Sequence, residues 1–105
     1  ATLLADEDWR MRRGAMQLLE QAEPSLVAPQ FDSLLRTLAD VDVNVRRRGI
    51  TLLEKLATAS LLTEEQTAEV AVLLRPLAQI DNDSQTRARA TALLGLISPE
   101  PAPET

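Results

Sequence analysis

Twelve residues in the middle of the sequence decide the fold: Asp42-Val-Asn-Val-Arg-Arg-Arg-Gly-Ile-Thr-Leu-Leu53. Two similar segments flank them, Asp8-Trp-Arg-Met-Arg-Arg-Gly-Ala-Met-Gln-Leu-Leu19 and Asp83-Ser-Gln-Thr-Arg-Ala-Arg-Ala-Thr-Ala-Leu-Leu94. Each begins with Asp, has Arg four residues later and a small residue three after that, and ends in a Leu pair. The segments start 34 residues apart (8 to 42) and 41 residues apart (42 to 83), which is typical of stacked helical repeats. Because one such unit cannot bury its apolar face alone, the repetition predicts an elongated stack with a continuous core.

Composition favours one helical domain. A chain of 105 residues fits a single domain, and its 45% apolar and 26% charged content is close to the usual globular mix. The aromatic residues are Trp9 and Phe31, set against abundant Leu and Ala, which favours helices over strands. No apolar run approaches the roughly 18 residues of a membrane span. Cys and His are absent, so disulfides and thiol ligands are excluded, and a reducing, cytoplasmic location is expected.

The net charge of −5 argues against general nucleic-acid binding, because neutralising phosphates needs an excess of Lys and Arg. The basic residues are nevertheless clustered, since most of the eleven lie inside the three segments. Acids gather instead at the loops and first turns. The pattern is compatible with a local basic stripe on an acidic protein.

Each of the three segments predicts one helix. The Asp that opens each segment is an N-cap candidate, and apolar residues follow at helical spacing. We expect the first of these helices to end near Gln21–Glu23, ahead of Pro24, because a residue before proline disfavours helical geometry. The second is expected to end at about Ser60 and the third at about Ile97.

Two further helices are predicted between the segments. Ser25 is expected to cap the first, in which Pro29 marks an early helical position or a kink. Thr63-Glu-Glu-Gln66 forms a capping box for the second. Pro76 lies inside this second pattern and predicts a kink or an early stop near Arg75.

The two ends of the chain differ from its middle. Leu4-Ala-Asp-Glu-Asp8 matches Leu38-Ala-Asp-Val-Asp42 at the offset of 34, so Ala1–Ala5 is expected to be the last turn of a helix whose beginning is missing. Three prolines in residues 98–105 predict an extended tail. The expected organisation is therefore a repeat array over residues 1–97 and a Pro-rich linker or tail over residues 98–105. The array looks cut from a longer one or processed at its N-terminus.

The apolar stripes of the five helices predict one shared core. Its expected members are Leu18, Leu19, Leu34, Leu35, Leu38, Ile50, Leu53, Leu56, Leu73, Leu74, Leu93 and Leu94.

Across residues 2–97 the chain resembles HEAT repeats, including the HEAT-like repeats of phycobilin lyases. In that family a short turn with an Asp precedes a second helix that opens with an apolar–Arg pair. Val45-Arg46 and Met11-Arg12 match this pattern, and Thr86-Arg87 matches it with a polar substitution. Pro29 and Pro76 correspond to the proline kink of the first helices. The resemblance implies an all-α fold, a short α-α superhelix of about two and a half antiparallel helix pairs.

The recurring Asp and Arg predict a structural ladder. Each Arg shares its helical face with apolar residues, so its guanidinium needs an acidic partner near the core. We expect the recurring Asp residues to supply it and to tie the turns of neighbouring units together by charge-assisted hydrogen bonds. The alternative is a row of arginines that binds phosphate or carboxylate ligands. The residues concerned are Asp8, Arg12, Asp42, Arg46, Asp83 and Arg87.

A second set of residues lies on the polar side of the same helices, which the resemblance places on a concave surface. They form a candidate surface for an acidic protein segment: Trp9, Arg10, Arg13, Gln17, Arg47, Arg48, Thr51 and Arg89. The alternative is a solvated helix face whose charge Glu20 and Glu54 balance. Trp9 is expected either to join this surface or to cover the N-terminal end of the stack.

The sequence contains no recognisable catalytic, metal or cofactor site. Asp6-Glu7-Asp8 and Asp81-Asn82-Asp83 lack the Gly and the distal Glu of an EF-hand and are expected to be turn and cap residues. Without Cys or His there is no Ser-His-Asp or Cys-His set. The glycines, at positions 14, 49 and 95, fall inside helices, where close helix packing would explain them.

These observations favour a non-catalytic protein-interaction or scaffold module that holds a peptide or helix in its groove. The alternatives are a phycobilin lyase-like subunit that acts with a partner chain and a nucleic-acid-binding helical solenoid. Because the first unit lacks most of its first helix, Met11, Met16 and Leu19 are expected to be incompletely covered. We therefore expect weak self-association through the N-terminal end, or cover by neighbouring repeats.

Overall fold

The computed structural model describes residues 9–97 of the chain, without the side chains of Trp9, Arg12 and Arg13. This part contains helices and no strand. The expected helical turn at Ala1–Ala5 and the tail at 98–105 lie outside the described residues. The helices are α1 (Trp9–Glu20), α2 (Pro24–Val27), α3 (Phe31–Thr37), α4 (Val43–Thr58), α5 (Glu64–Ile80) and α6 (Ser84–Ile97), with a 3-10 segment at Ala28–Gln30.

Capping side chains fix where the long helices begin. Asp42 accepts a hydrogen bond from Val45 N at 3.0 Å and caps α4. Thr63 and Gln66 form the reciprocal capping box of α5, with both hydrogen bonds at 3.0 Å. These contacts satisfy backbone N–H groups that have no partner inside the helix. The predicted starts of α4 and α5 are confirmed.

The prolines behave differently from the prediction in two places. The helix expected to be capped by Ser25 begins at Pro24, because proline is favoured in the first turn, where its missing N–H costs nothing. This helix then passes through the 3-10 segment that contains Pro29. Of the kink or early stop expected near Arg75, the early stop does not occur, since α5 continues through Pro76 to Ile80. Pro76 is exposed, so its ring lies on the outer side of α5.

Packing follows the order of the repeated segments. The helices of the three segments, α1, α4 and α6, lie side by side, with α4 in contact with both of the others. The intervening helices cover them: α3 packs on α4, and α5 packs on α6 through the most extensive contact. The molecule measures 44 × 30 × 19 Å, and its radius of gyration of 13.3 Å is that of a compact domain of this size.

One apolar cluster extends from Ala15 in α1 to Leu93 in α6. Most of the predicted core is buried in it or packed against it, but Leu18 and Leu73 are exposed, at 67% and 39% of their surface. Met16, expected to be incompletely covered, is completely buried. Sequence periodicity missed several buried residues of the described part, among them Val27, Thr37 and Ala71.

Close helix packing explains one glycine. A Cβ on Gly49 would overlap Thr37 Oγ1 and lie 3.1 Å from Thr37 Cβ, so α3 and α4 can approach only with glycine here. Gly14 and Gly95 have nothing within 4 Å of an added Cβ. The packing explanation is therefore wrong for these two positions within the described part of the molecule.

Candidate functional site: a basic groove beside repeated turns

The turns before α4 and α6 have the same hydrogen-bond pattern. Asp40 Oδ1 accepts from Asp42 N at 2.8 Å, and Asp81 Oδ1 accepts from Asp83 N at 2.9 Å. Asp83 Oδ2 accepts from Thr86 N at 2.8 Å, as Asp42 Oδ2 does from Val45 N. The pattern recurs at the offset of 41 residues, so the repeat in the sequence is also a repeat in three dimensions.

The recurring arginines bind back to these turns. Arg46 Nη1 donates to the carbonyl of Asp40 at 2.7 Å, and Arg87 Nη1 donates to the carbonyl of Asp81 at 2.6 Å. Each guanidinium thus satisfies a carbonyl of the turn that precedes its own helix. The four-residue spacing between Asp and Arg in the segments is what allows the side chain to reach the turn.

The ladder between units uses a different Asp from the expected one. Arg46 Nε lies 2.9 Å from Asp81 Oδ2, and Arg46 Nη2 donates to Asp81 Oδ1 at 3.3 Å. Both side chains are nearly buried, at 13% and 5% exposure, so the pair links the second turn to the third inside the protein. Asp83 was expected to supply the carboxylate for such a pair, but the carboxylate that pairs with Arg46 is that of Asp81. Asp8 and the side chain of Arg12 lie outside the described residues.

Asp83 caps α6, and this role changes its acidity. Its Oδ2 accepts from both Thr86 Oγ1 and Thr86 N at 2.8 Å, and these two hydrogen bonds lower the pKa of Asp83 below its ordinary value of 3.8. The positive charges of Arg47 and Arg46 lower this pKa further, whereas partial burial opposes them. Asp83 is therefore a carboxylate at neutral pH that caps α6.

An open groove of about 420 Å³ lies where the end of α1, the side of α4 and the start of α6 meet. We call it the basic groove. Its lining is Glu20, Asn44, Arg47, Arg48, Thr51, Leu52, Lys55 and Arg89. Four of these eight described residues are basic and one is acidic, so the groove is positive although the chain has a net charge of −5. Of the expected partner surface, Arg47, Arg48, Thr51 and Arg89 are brought together here.

Arg48 and Arg89 bridge the helices that form the groove. Arg48 Nη1 lies 2.8 Å from Glu20 Oε1 and joins α4 to α1. Arg89 Nη1 donates to Thr51 Oγ1 at 2.8 Å and joins α6 to α4. Arg48 and Arg89 are equivalent in the repeat, but only Arg48 has a carboxylate partner among the described residues. Arg89 therefore keeps an uncompensated positive charge at an exposed position.

Arg47 was expected on the exposed partner surface, but its side chain is only 25% exposed. It hydrogen-bonds to Gln85 Oε1 and, at 2.9 Å, to Asn44 Oδ1. Its Nε is buried and forms an ion pair with Asp83. The Asp83 Oδ2 atom lies 3.7 Å away, which is too far for a hydrogen bond. Arg47 consequently holds α4 against the start of α6 and also lines the groove.

Lys55 completes the groove and was missed in the sequence. Its ammonium donates to the carbonyls of Glu20 at 2.8 Å, Leu19 at 3.4 Å and Ala22, at the C-terminal end of α1. A cation is favourable there because the last carbonyls of a helix carry a partial negative charge. Its spacing of seven residues from Arg48, two turns along the same face of α4, is the signal that could have identified it.

Other expected surface residues lie away from this groove or are not described. Arg10 and Gln17 are exposed on α1 but do not line it. The side chains of Trp9 and Arg13 lie outside the described residues. The described part contains no cluster of acidic residues that could hold a metal ion, and none of its helices is both long and apolar enough to cross a membrane.

The comparisons with known proteins give no identification. No protein-family model matches the chain, and no curated protein and no solved structure is significantly similar to it.

Proposed function

We propose that this chain is a non-catalytic, cytoplasmic protein-interaction module, a short HEAT-like α-α superhelix whose basic groove binds an acidic segment of a protein partner. One observation carries the proposal: four basic side chains of an acidic protein converge on one open groove formed by three helices of equivalent sequence. A groove of this kind suits an extended or helical peptide better than a small molecule, which needs an enclosed site.

Two features support the superhelical arrangement. The segment helices α1, α4 and α6 form one row, and α3 and α5 cover α4 and α6. The turns before α4 and α6 repeat the same hydrogen bonds, and Arg46–Asp81 links one turn to the next. Regular stacking of equivalent helix pairs produces this combination in a repeat protein.

The polar lining favours recognition by charge. Among the described residues, Arg89 has only a hydroxyl partner, and the charge of Lys55 is balanced by carbonyl dipoles rather than by a carboxylate. A partner carboxylate near these groups adds an ion pair without displacing an existing one. Binding should therefore be fast, moderate in strength and weakened by salt.

The test is a fluorescence-anisotropy titration with a labelled Glu-rich peptide. Arg89→Gln should weaken binding about two- to fivefold, the loss expected for one exposed ion pair. Arg36→Gln is the matched control, because Arg36 is an exposed arginine on α3 outside the groove. No binding by the wild type, or an equal loss in both variants, would overturn the proposal.

Two additional titrations separate the alternatives. A single-stranded DNA oligonucleotide that binds more tightly than the peptide, with a steep salt dependence, would favour the nucleic-acid-binding solenoid. A change in the absorbance of a linear tetrapyrrole on mixing would favour the phycobilin lyase-like subunit. With the proposed function, the peptide binds and the tetrapyrrole spectrum is unchanged.

A further inference from the structure

The outer face of α1 exposes apolar groups at positions that are buried in the other two units. Leu18 is 67% exposed, whereas its repeat equivalents Leu52 and Leu93 are 0% and 1% exposed. Met11 is 45% exposed, and its equivalent Val45 is completely buried. We call this the α1 end face and define it by Met11, Gly14, Leu18 and Gln21.

The contacts of α4 show what such a face packs against. Arg48, Leu52 and Lys55 are the equivalents of Gly14, Leu18 and Gln21, and they face the preceding helix α1. Arg48 binds Glu20, and Lys55 binds carbonyls at the end of α1. In the next unit Arg89 reaches Thr51 of α4 in the same way. The α1 end face is thus the surface that takes the preceding helix of a stack.

The surface complementary to the α1 end face lies on α6, on the other side of the row of segment helices. In α4, Arg47 and Thr51 contact the following helix, α6. Arg47 donates to Gln85, and Thr51 accepts from Arg89. The equivalents of Arg47 and Thr51 in α6 are Ala88 and Ala92, and the next residue along this face is Gly95. All three are exposed, and Gly95 has nothing within 4 Å of an added Cβ. We call this surface the α6 end face.

We propose that the α6 end face of one molecule docks on the α1 end face of a second copy and continues the helical stack from one molecule to the next. The register of the α1–α4 and α4–α6 interfaces places Leu18 of the second copy against Ala92 and Gly95. Small side chains on α6 let the two helices approach closely, so Leu18 regains the cover that its equivalents have.

The same register gives Gly14 and Gly95 a role. Arg48 of α4 faces Glu20 of α1. In the proposed contact, the position equivalent to Arg48 is Gly14 of the second copy, and the position equivalent to Glu20 is Gly95 of the first copy. Both glycines stand in open space inside helices, where each costs about 1 kcal/mol relative to Ala. Facing each other between two molecules, they permit a close helix crossing.

Charge adds a further contact. Arg87 is the equivalent of Arg46 and makes the same hydrogen bond to its own turn, at 2.6 Å. Arg46 also pairs with Asp81 of the following turn, but Arg87 has no carboxylate partner among the described residues. Arg87 is therefore available to pair with a carboxylate of the second copy. Because the two faces differ, the contact is heterologous and can continue beyond a dimer.

The test is sedimentation velocity over a wide range of concentration. The wild type should show species that grow with concentration, whereas Leu18→Ser and Ala92→Arg should each remain monomeric. Leu26→Ser is the matched control, because Leu26 is 65% exposed on α2, outside both end faces, and it should associate like the wild type. Circular dichroism verifies that the variants keep their helices.

Mixing the two blocked variants distinguishes this proposal from other modes of association. Leu18→Ser retains an intact α6 end face, and Ala92→Arg retains an intact α1 end face. Their equimolar mixture should form a dimer with one copy of each and nothing larger. A monomeric wild type, a mixture that stays monomeric, or an equal loss of association in Leu26→Ser would overturn the proposal. The outcome is independent of peptide binding in the basic groove.

Discussion

At the residue scale, Gly49 and Gly95 show that glycines inside helices can have quite different surroundings. Gly49 is required by the close approach of Thr37, whose hydroxyl is held by a hydrogen bond to the carbonyl of Leu34. Gly95 meets no such neighbour. Helical periodicity placed both correctly inside helices, but it contains no information on how near the adjacent helix lies.

Alanine at these two positions should therefore have opposite effects. Gly49→Ala forces a Cβ into Thr37 and should lower the free energy of unfolding by about 1–3 kcal/mol. Gly95→Ala adds helix propensity without a clash and should raise it by about 0.5–1 kcal/mol. Urea unfolding at a low protein concentration measures both. The same sign at both positions would contradict the assigned packing of α3 on α4.

The Arg46–Asp81 pair gives a second test at this scale. Asp81→Ala would leave the nearly buried guanidinium without its carboxylate, which should cost about 3–5 kcal/mol. Asp32→Ala, at an exposed acid in the first turn of α3, should cost less than about 1 kcal/mol. Equal losses in urea unfolding would show that the ladder does not stabilise the fold.

Asp83 predicts a pH dependence. Its pKa is lower in the folded protein than in the unfolded chain, so the folded state favours the carboxylate. The resulting stability is fully present above the ordinary pKa of 3.8 and is lost as pH falls through the folded value. The melting temperature of wild type should thus fall more than that of Asp83→Asn between neutral and strongly acidic pH. Parallel curves would contradict the assigned role.

The sequence predicted that Asp and Arg pair between units, but it did not predict which Asp does so. Each described turn has two, at Asp40 and Asp42 and again at Asp81 and Asp83. One caps the helix, and the other orients the turn and, in the case of Asp81, faces the neighbouring unit. The two Asp residues of a turn lie only two positions apart, so periodicity cannot determine which of them faces the neighbouring unit.

At the element scale, the parts governed by local chemistry were predictable. The starts of α4, α5 and α6 follow from side-chain caps that act within three residues. The failures were those in which a local preference competes with packing. Proline did not end α5, because Leu74 before Pro76 and Leu77 after it pack in or against the core, and this tertiary contact outweighs one lost hydrogen bond.

Lys55 allows a prediction for the contact between two elements. Lys55→Met keeps the apolar stem but removes the ammonium that binds three carbonyls at the end of α1. We expect a loss of about 1–2 kcal/mol in unfolding free energy and faster hydrogen exchange in the last turn of α1. Arg75→Met, at an exposed cation of α5, is the control. Unchanged exchange in α1 would contradict this contact.

At the scale of the whole molecule, the repeat predicted the all-helical fold, and the candidate site was predicted only in part. Four of the expected surface residues line the basic groove, because equivalent positions on stacked helices point the same way. Glu20 and Lys55 join them only through the contact of α1 with α4. Such a contact depends on the distance between helices, which a single sequence does not contain.

The continuity of the core leads to a prediction for unfolding as a whole. Leu53 is completely buried in a cluster that extends from α1 to α6, so Leu53→Ala should cost about 2–5 kcal/mol. Leu73 was expected in the core but is 39% exposed, so Leu73→Ala should lower the free energy of unfolding clearly less than Leu53→Ala does. Because this core is continuous, each helix depends on its neighbours, and separate melting of the ends would leave apolar faces in water. Hydrogen exchange in α1 and α6 should therefore accelerate together in Leu53→Ala. Acceleration confined to α4 would show that the units unfold independently.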